Sequence, residues 1–91
     1  MNQDTLYTVI KECGFTVLVF SDHPNFFSSW SITIEKEKNV FMIEHDGRDG
    51  WLILYRQSTN GIFEEIDRKT SYNLNSEKKI SQCKSWLLSN A

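Results

Sequence analysis

The sequence predicts an α+β fold: an N-terminal helix, about five strands in a mainly antiparallel meander, and a C-terminal helix. Three observations carry this. Apolar residues recur at helical spacing near both ends, as Leu6, Val9, Ile10 and Cys13 and again as Ile80, Cys83 and Leu87. Between them, β-rich segments follow one another at short intervals, separated by turn-forming residues. These connections are too short for parallel crossovers, so at least the last four strands must run antiparallel. The 91 residues and 10.7 kDa form one domain, residues 1–91, with no internal repeat, low-complexity tract or linker. Surface scaling for this mass gives about 5,500 Å² exposed after folding, enough burial for one core without disulfide staples.

Each element has its own warrant. Asp4 is placed to cap the first helix, and Gly14 to stop it. Phe15 to Phe20 is nearly all apolar and reads as a strand covered on both faces. Ser21 to Ser28, punctuated by Asp22-His23-Pro24-Asn25, reads as a loop. Trp30, Ile32 and Ile34 alternate with Ser31, Thr33 and Glu35, as a half-buried strand requires. Lys36 to Asn39 forms a hairpin turn into a strand over Val40 to His45, which Gly47 and Gly50 then interrupt. Trp51 to Gln57 and Ile62 to Asp67 complete the meander, with Ser58 to Gly61 as the turn between them. Ser76 is placed to cap the last helix, Glu77 complements its N-terminal dipole, and Trp86 flanks its apolar stripe.

Composition excludes several classes. A mean hydropathy of −0.43 with 24% charged residues is not that of a membrane protein, and 13% aromatics argue against disorder. Met1 to Asp4 lacks the basic and apolar regions of a signal peptide. Cys13 and Cys83 show no metal-ligand spacing and fall on helix stripes, so they read as buried, inert thiols in a reducing cytoplasm. No cofactor or metal is expected. Neither a nucleophile elbow nor a phosphate loop is present. Histidine chemistry would rest on His23 and His45, and both read as surface side chains beside turns. The segment Glu44 to Asp49 holds oxygen and nitrogen ligand types without the spacing of a calcium loop.

Charge is unevenly divided. Residues 1–67 carry five basic and eleven acidic groups, a balance of −6, and residues 68–91 five basic and one acidic, a balance of +4. Glu44, Asp46, Asp49, Glu64, Glu65 and Asp67 concentrate in the later strands, where adjacent turns and faces would steer a basic partner. Arg68, Lys69, Lys78, Lys79 and Lys84, with Tyr72 among them, form a smaller basic set that could touch phosphate. Two short helices cannot cover both faces of such a sheet. Either they split across it, or one face keeps exposed apolar residues, with Phe26, Phe27, Trp30, Trp51 and Tyr55 as candidates for a partner-binding patch.

Several segments carry a family resemblance: Trp30-Ser31-Ile32-Thr33-Ile34, Asp49-Gly50-Trp51-Leu52, Gly61-Ile62-Phe63-Glu64-Glu65 and the helix ending Trp86-Leu87-Leu88. Over residues 30–88 the chain resembles the small cytosolic immunity proteins of bacterial contact-dependent inhibition and other polymorphic toxin systems. The resemblance implies a protein without enzymatic activity that occludes a cognate toxin C-terminal domain, frequently a nuclease with a basic cleft. The class shares no universal binding residues. From the charge and aromatic pattern the expected contacts are Glu44, Asp46, Asp49, Glu64, Glu65 and Asp67, with Trp51 or Phe27 as apolar anchor. An uncovered apolar face could instead serve a homodimer. The alternative function is a small regulatory or nucleic-acid-binding module using the basic C-terminal segment.

Overall fold

The computed structural model describes residues 3–23, 25–26 and 28–90. The chain runs α1 (Gln3–Glu12), β1 (Thr16–His23), β2 (Ser29–Lys36), β3 (Asn39–Asp46), β4 (Trp51–Gln57), β5 (Phe63–Thr70) and α2 (Ser76–Ser89). All five strands form one sheet in the order β1-β2-β3-β4-β5, and every neighbouring pair is antiparallel. This is the α+β meander that the sequence predicts. The accessible surface of 5657 Å² is close to that expected from mass.

Both helices lie on the same side of the sheet and touch each other. The alternation in β2 and β3 explains why. Trp30, Ile32 and Ile34 of β2, Phe41 and Ile43 of β3, and Leu52 and Leu54 of β4 all point to that side. Leu6 and Ile10 of α1 and Cys83, Trp86 and Leu87 of α2 close over them. Ile32, Ile34, Ile43 and Leu52 are fully buried, and truncating one such side chain to alanine costs about 2–5 kcal/mol. The helices do not divide between the faces.

The first strand departs from its expected burial. Phe15 is buried just before β1, but β1 is an edge strand in which Leu18 and Val19 are 47% and 55% exposed. A bulge between Val17 and Val19 adds one residue to β1. Two residues apart, they would normally share a face; here Val17 pairs with core-facing Ile34 and Val19 with outward Thr33. Strand pairing also continues through Ser21, Asp22 and His23, because their partners Ser31, Trp30 and Ser29 extend β2.

The caps follow local hydrogen-bond supply. Asp4 lies inside the first turn of α1. Gly14, at φ 85°, closes α1 in a Schellman arrangement: its amide donates to the Lys11 carbonyl at 2.9 Å, and the Phe15 amide to the Ile10 carbonyl at 3.1 Å. Ile10 and Phe15 supply the hydrophobic contact that accompanies this motif. At α2 the cap is Asn75, one residue before the expected Ser76, because Asn75 Oδ1 accepts from the Lys78 amide at 2.9 Å.

The turns set where the strands end. Asp46 Oδ1 accepts from the Arg48 and Asp49 amides at 3.0 and 3.1 Å, and its carbonyl accepts from Gly50 at 2.9 Å. Gly50 has φ 73°, and a Cβ there would meet the Tyr72 ring at 2.4 Å, so this position excludes side chains. The β2–β3 hairpin is different. Its two central residues, Glu37 at φ 51° and Lys38 at φ 70°, occupy the left-handed region without glycine. That conformation costs roughly 1 kcal/mol per residue. Replacing both, Glu37→Asn with Lys38→Gly, is expected to raise stability by about 1 kcal/mol, allowing for the chain entropy of the new glycine. A thermal melt should show it as a Tm rise of roughly 4–8 °C.

Candidate docking face

The side of the sheet away from the helices is uncovered. Strand register sorts its residues into rows: Val19, Thr33, Met42, Tyr55 and Glu65 form one, and Ser21, Ser31, Glu44, Ile53 and Arg68 the next. Beyond them lie His23 beside Ser29 and, on the far strands, Asp46 beside Trp51 and Thr70. Ile53 stands at the centre. It is only 5% exposed although no helix covers it.

Its cover is a lattice of side chains. The Arg68 guanidinium lies over the Trp51 ring at 4.6 Å and donates to both oxygens of Glu65, Nε to Oε2 at 3.0 Å and Nη2 to Oε1 at 2.5 Å. Beside them the Tyr55 hydroxyl donates to Glu44 Oε1 at 3.2 Å. The hydrogen bond from Arg68 holds Glu65 below the usual carboxylate range, and Glu65 in turn raises Arg68. Burial, followed by the charge of Glu44, pushes the Tyr55 hydroxyl up. Exposed ion pairs contribute little stability individually. Their effect here is to fix Trp51 and Tyr55 in place.

The expected contact residues separate into groups. Glu44, Glu65 and Trp51 meet on the uncovered face, and Asp46 reaches its end while holding the β3–β4 turn. Asp49 is exposed in that turn. Glu64 and Asp67 project to the helix side, in register with Arg56 and Leu54. The cause is a second bulge, between Leu54 and Tyr55 on the β4 side, with Ile66 as the extra residue of β5. Without it, Glu65 and Asp67 would share a face. Asp67 instead accepts from Trp86 Nε1 at 2.8 Å, which holds its carboxyl below the ordinary value. Phe27 lies outside the described residues. Trp30, a candidate for the uncovered patch, is a core residue at 6% exposure, whereas Phe26 is 53% exposed.

Proximity in sequence groups Arg68 with the basic C-terminal set, whereas the β5 register places it in this lattice. That set does not form one surface. Arg68 faces outward from the sheet, Lys69 lies on the helix side near Asp67 at 3.8 Å, and Lys78 and Lys79 sit in the first turn of α2.

The histidines also separate. His23 is exposed at the end of β1, but His45 is buried on the core side, contrary to the surface position expected of it. Its ring packs against Trp30 at 5.8 Å, and Nδ1 donates to the Ser28 carbonyl at 3.1 Å. The register of β3 that brings Phe41 and Ile43 inward brings His45 with them, and sends Asp46 to the opposite face. Burial, then the nearby Lys79 charge, lowers the His45 pKa. Both cysteines are free and buried, and burial pushes the Cys83 thiol up to about 12. Among the described residues no cluster of His, Cys, Asp or Glu could hold a metal ion. No described helix is long and apolar enough to cross a membrane.

A cavity of about 250 Å³ opens at the β1–β2 loop end of the sheet, lined by Ser29, Ser31, Glu44 and Asp46 of the uncovered face, by His23 and Phe26, and by the core-side Trp30 and His45. No family model, curated protein or solved structure matches the chain.

Two titrations follow. Above the ordinary His pKa of 6.5, His45 is neutral in both folded and unfolded chains. Below it the unfolded chain binds the proton first, so stability should fall as pH drops from 6.5 toward the lower folded value. Chemical denaturation across that window should show the slope, and His45→Gln should flatten it. For Asp67, Trp86→Phe removes the donating N–H, and a carboxyl NMR titration should find its pKa raised toward 3.8.

Proposed function

We propose that this protein is a non-catalytic immunity protein that binds a cognate toxin domain and neutralises it by covering its active or substrate-binding surface. The observation that carries this reading is the sheet's one-sided cover. Two helices seal one face, and the other presents Trp51 and Tyr55, held by Arg68, Glu65 and Glu44 rather than by a core. Side chains fixed before binding lose less conformational freedom on docking, which favours a tight and specific complex. The resemblance to toxin immunity proteins supports the same conclusion, with a nuclease domain as the favoured toxin class and the cytoplasm as the place of action.

The test is co-expression with a toxin domain encoded by an adjacent open reading frame. The wild-type chain should protect cells and co-purify with the toxin, and Trp51→Ala with Tyr55→Ala should lose protection while keeping a native circular dichroism spectrum. Glu64→Gln, on the helix side, serves as the matched control and should protect fully. Undiminished protection by the double variant would overturn this face as the binding site. Sedimentation as a dimer that the double variant abolishes would assign the face to self-association instead.

A further inference from the structure

Strand register partitions charge as well as hydrophobicity. Among the described residues the uncovered face carries four carboxylates, Glu35, Glu44, Asp46 and Glu65, against the single cation Arg68, a balance of −3. The whole chain is −2, so the remainder is slightly positive. The one cation is already committed to Glu65 and the Trp51 ring. Any protein docking on this face meets a negative field, centred away from Arg68 toward β2 and β3.

The cavity lies toward β2 and β3, away from Arg68, and His23, Trp30 and His45 complete its lining. Ser29, Ser31, Glu44 and Asp46 all belong to the uncovered face by register, and exposed Phe26 adds an aromatic wall. Each carboxylate is oriented through one oxygen: Glu44 Oε1 by the Tyr55 hydroxyl, Asp46 Oδ1 by two turn amides. Their second oxygens take no hydrogen bond from the described residues. Two oriented carboxylates, two hydroxyls and an aromatic ring match a planar guanidinium, which both forks to carboxylate and stacks on rings. An ammonium uses only the charge.

We propose that the partner surface is basic and that this cavity receives one of its arginine side chains. The proposal rests on the docking reading of the same face and gives the partner its chemistry. A toxin whose own cleft is positive would then have that cleft filled by carboxylates.

Two measurements separate this inference from the reading beneath it. In the first, isotopically labelled protein is titrated with a capped tri-arginine peptide, using tri-lysine and the neutral isostere tri-citrulline as comparisons. Amide shifts should concentrate at Ser29, Ser31, Glu44 and Asp46, be weaker with tri-lysine and vanish with tri-citrulline. Glu44→Gln should weaken tri-arginine binding about tenfold, the loss expected of one charge-assisted hydrogen bond, and Glu64→Gln should not. Shifts centred on the helix side, equal response to tri-citrulline or tri-lysine, or unchanged binding by Glu44→Gln would overturn the arginine site. In the second, the toxin domain is bound at increasing salt. Affinity should fall with salt, and Glu44→Gln should reduce that dependence. Peptide binding at the cavity without toxin binding would leave the site standing and sink the immunity reading. Salt-insensitive toxin binding that Glu44→Gln leaves intact would do the reverse.

Discussion

The two-residue alternation of β2 and β3 is the constraint from which the rest of the molecule follows. Once Trp30, Ile32 and Ile34 face the same way as Phe41 and Ile43, both helices must come to that side, because only there can Leu6, Ile10, Cys83 and Leu87 be buried. The same register turns Thr33, Met42 and Glu44 outward and leaves them without a covering element. A slip of one residue would exchange the two sets. Core and uncovered face are two consequences of one pairing.

What the uncovered face then does is decided by β4. Ile53 is apolar on the outward side, a position that would ordinarily want a third layer. Instead Trp51, Tyr55 and Arg68 surround it on the same face, with Glu44 and Glu65 bonded to the polar ends of Tyr55 and Arg68. Long amphipathic side chains thus shield a hydrophobe while keeping charge in water. The uncovered surface is acidic outside and apolar beneath.

Periodicity made the helices, the strands of the meander and the buried stripe readable, since each rests on spacing along a single segment. The hairpin positions and the stop at Gly14 were legible for the same reason. Three things were not. The faces of Glu65 and Asp67, and of Val17 and Val19, depend on bulges, which change register through backbone pairing and leave no residue-type signal in this sequence. His45 continues the inward alternation of Phe41 and Ile43, but the Trp30 ring and Ser28 carbonyl that receive it come from strand pairing, which the adjoining turn residues do not signal. Arg68 looked like part of a basic tail because sequence distance to Lys69 is short, although the two point to opposite faces.

Both bulges fall on the outermost strands, β1 and β5, one in each. An open meander has two free edges, and Thr16 to Phe20 is an uncharged, β-prone run of the kind that recruits further strands. A bulge breaks the regular spacing of amide and carbonyl groups that an incoming strand must match, and it twists the edge locally. On the other side Glu64, Glu65, Asp67, Arg68 and Lys69 make β5 a charged border. Those irregularities oppose edge-to-edge pairing with a second chain.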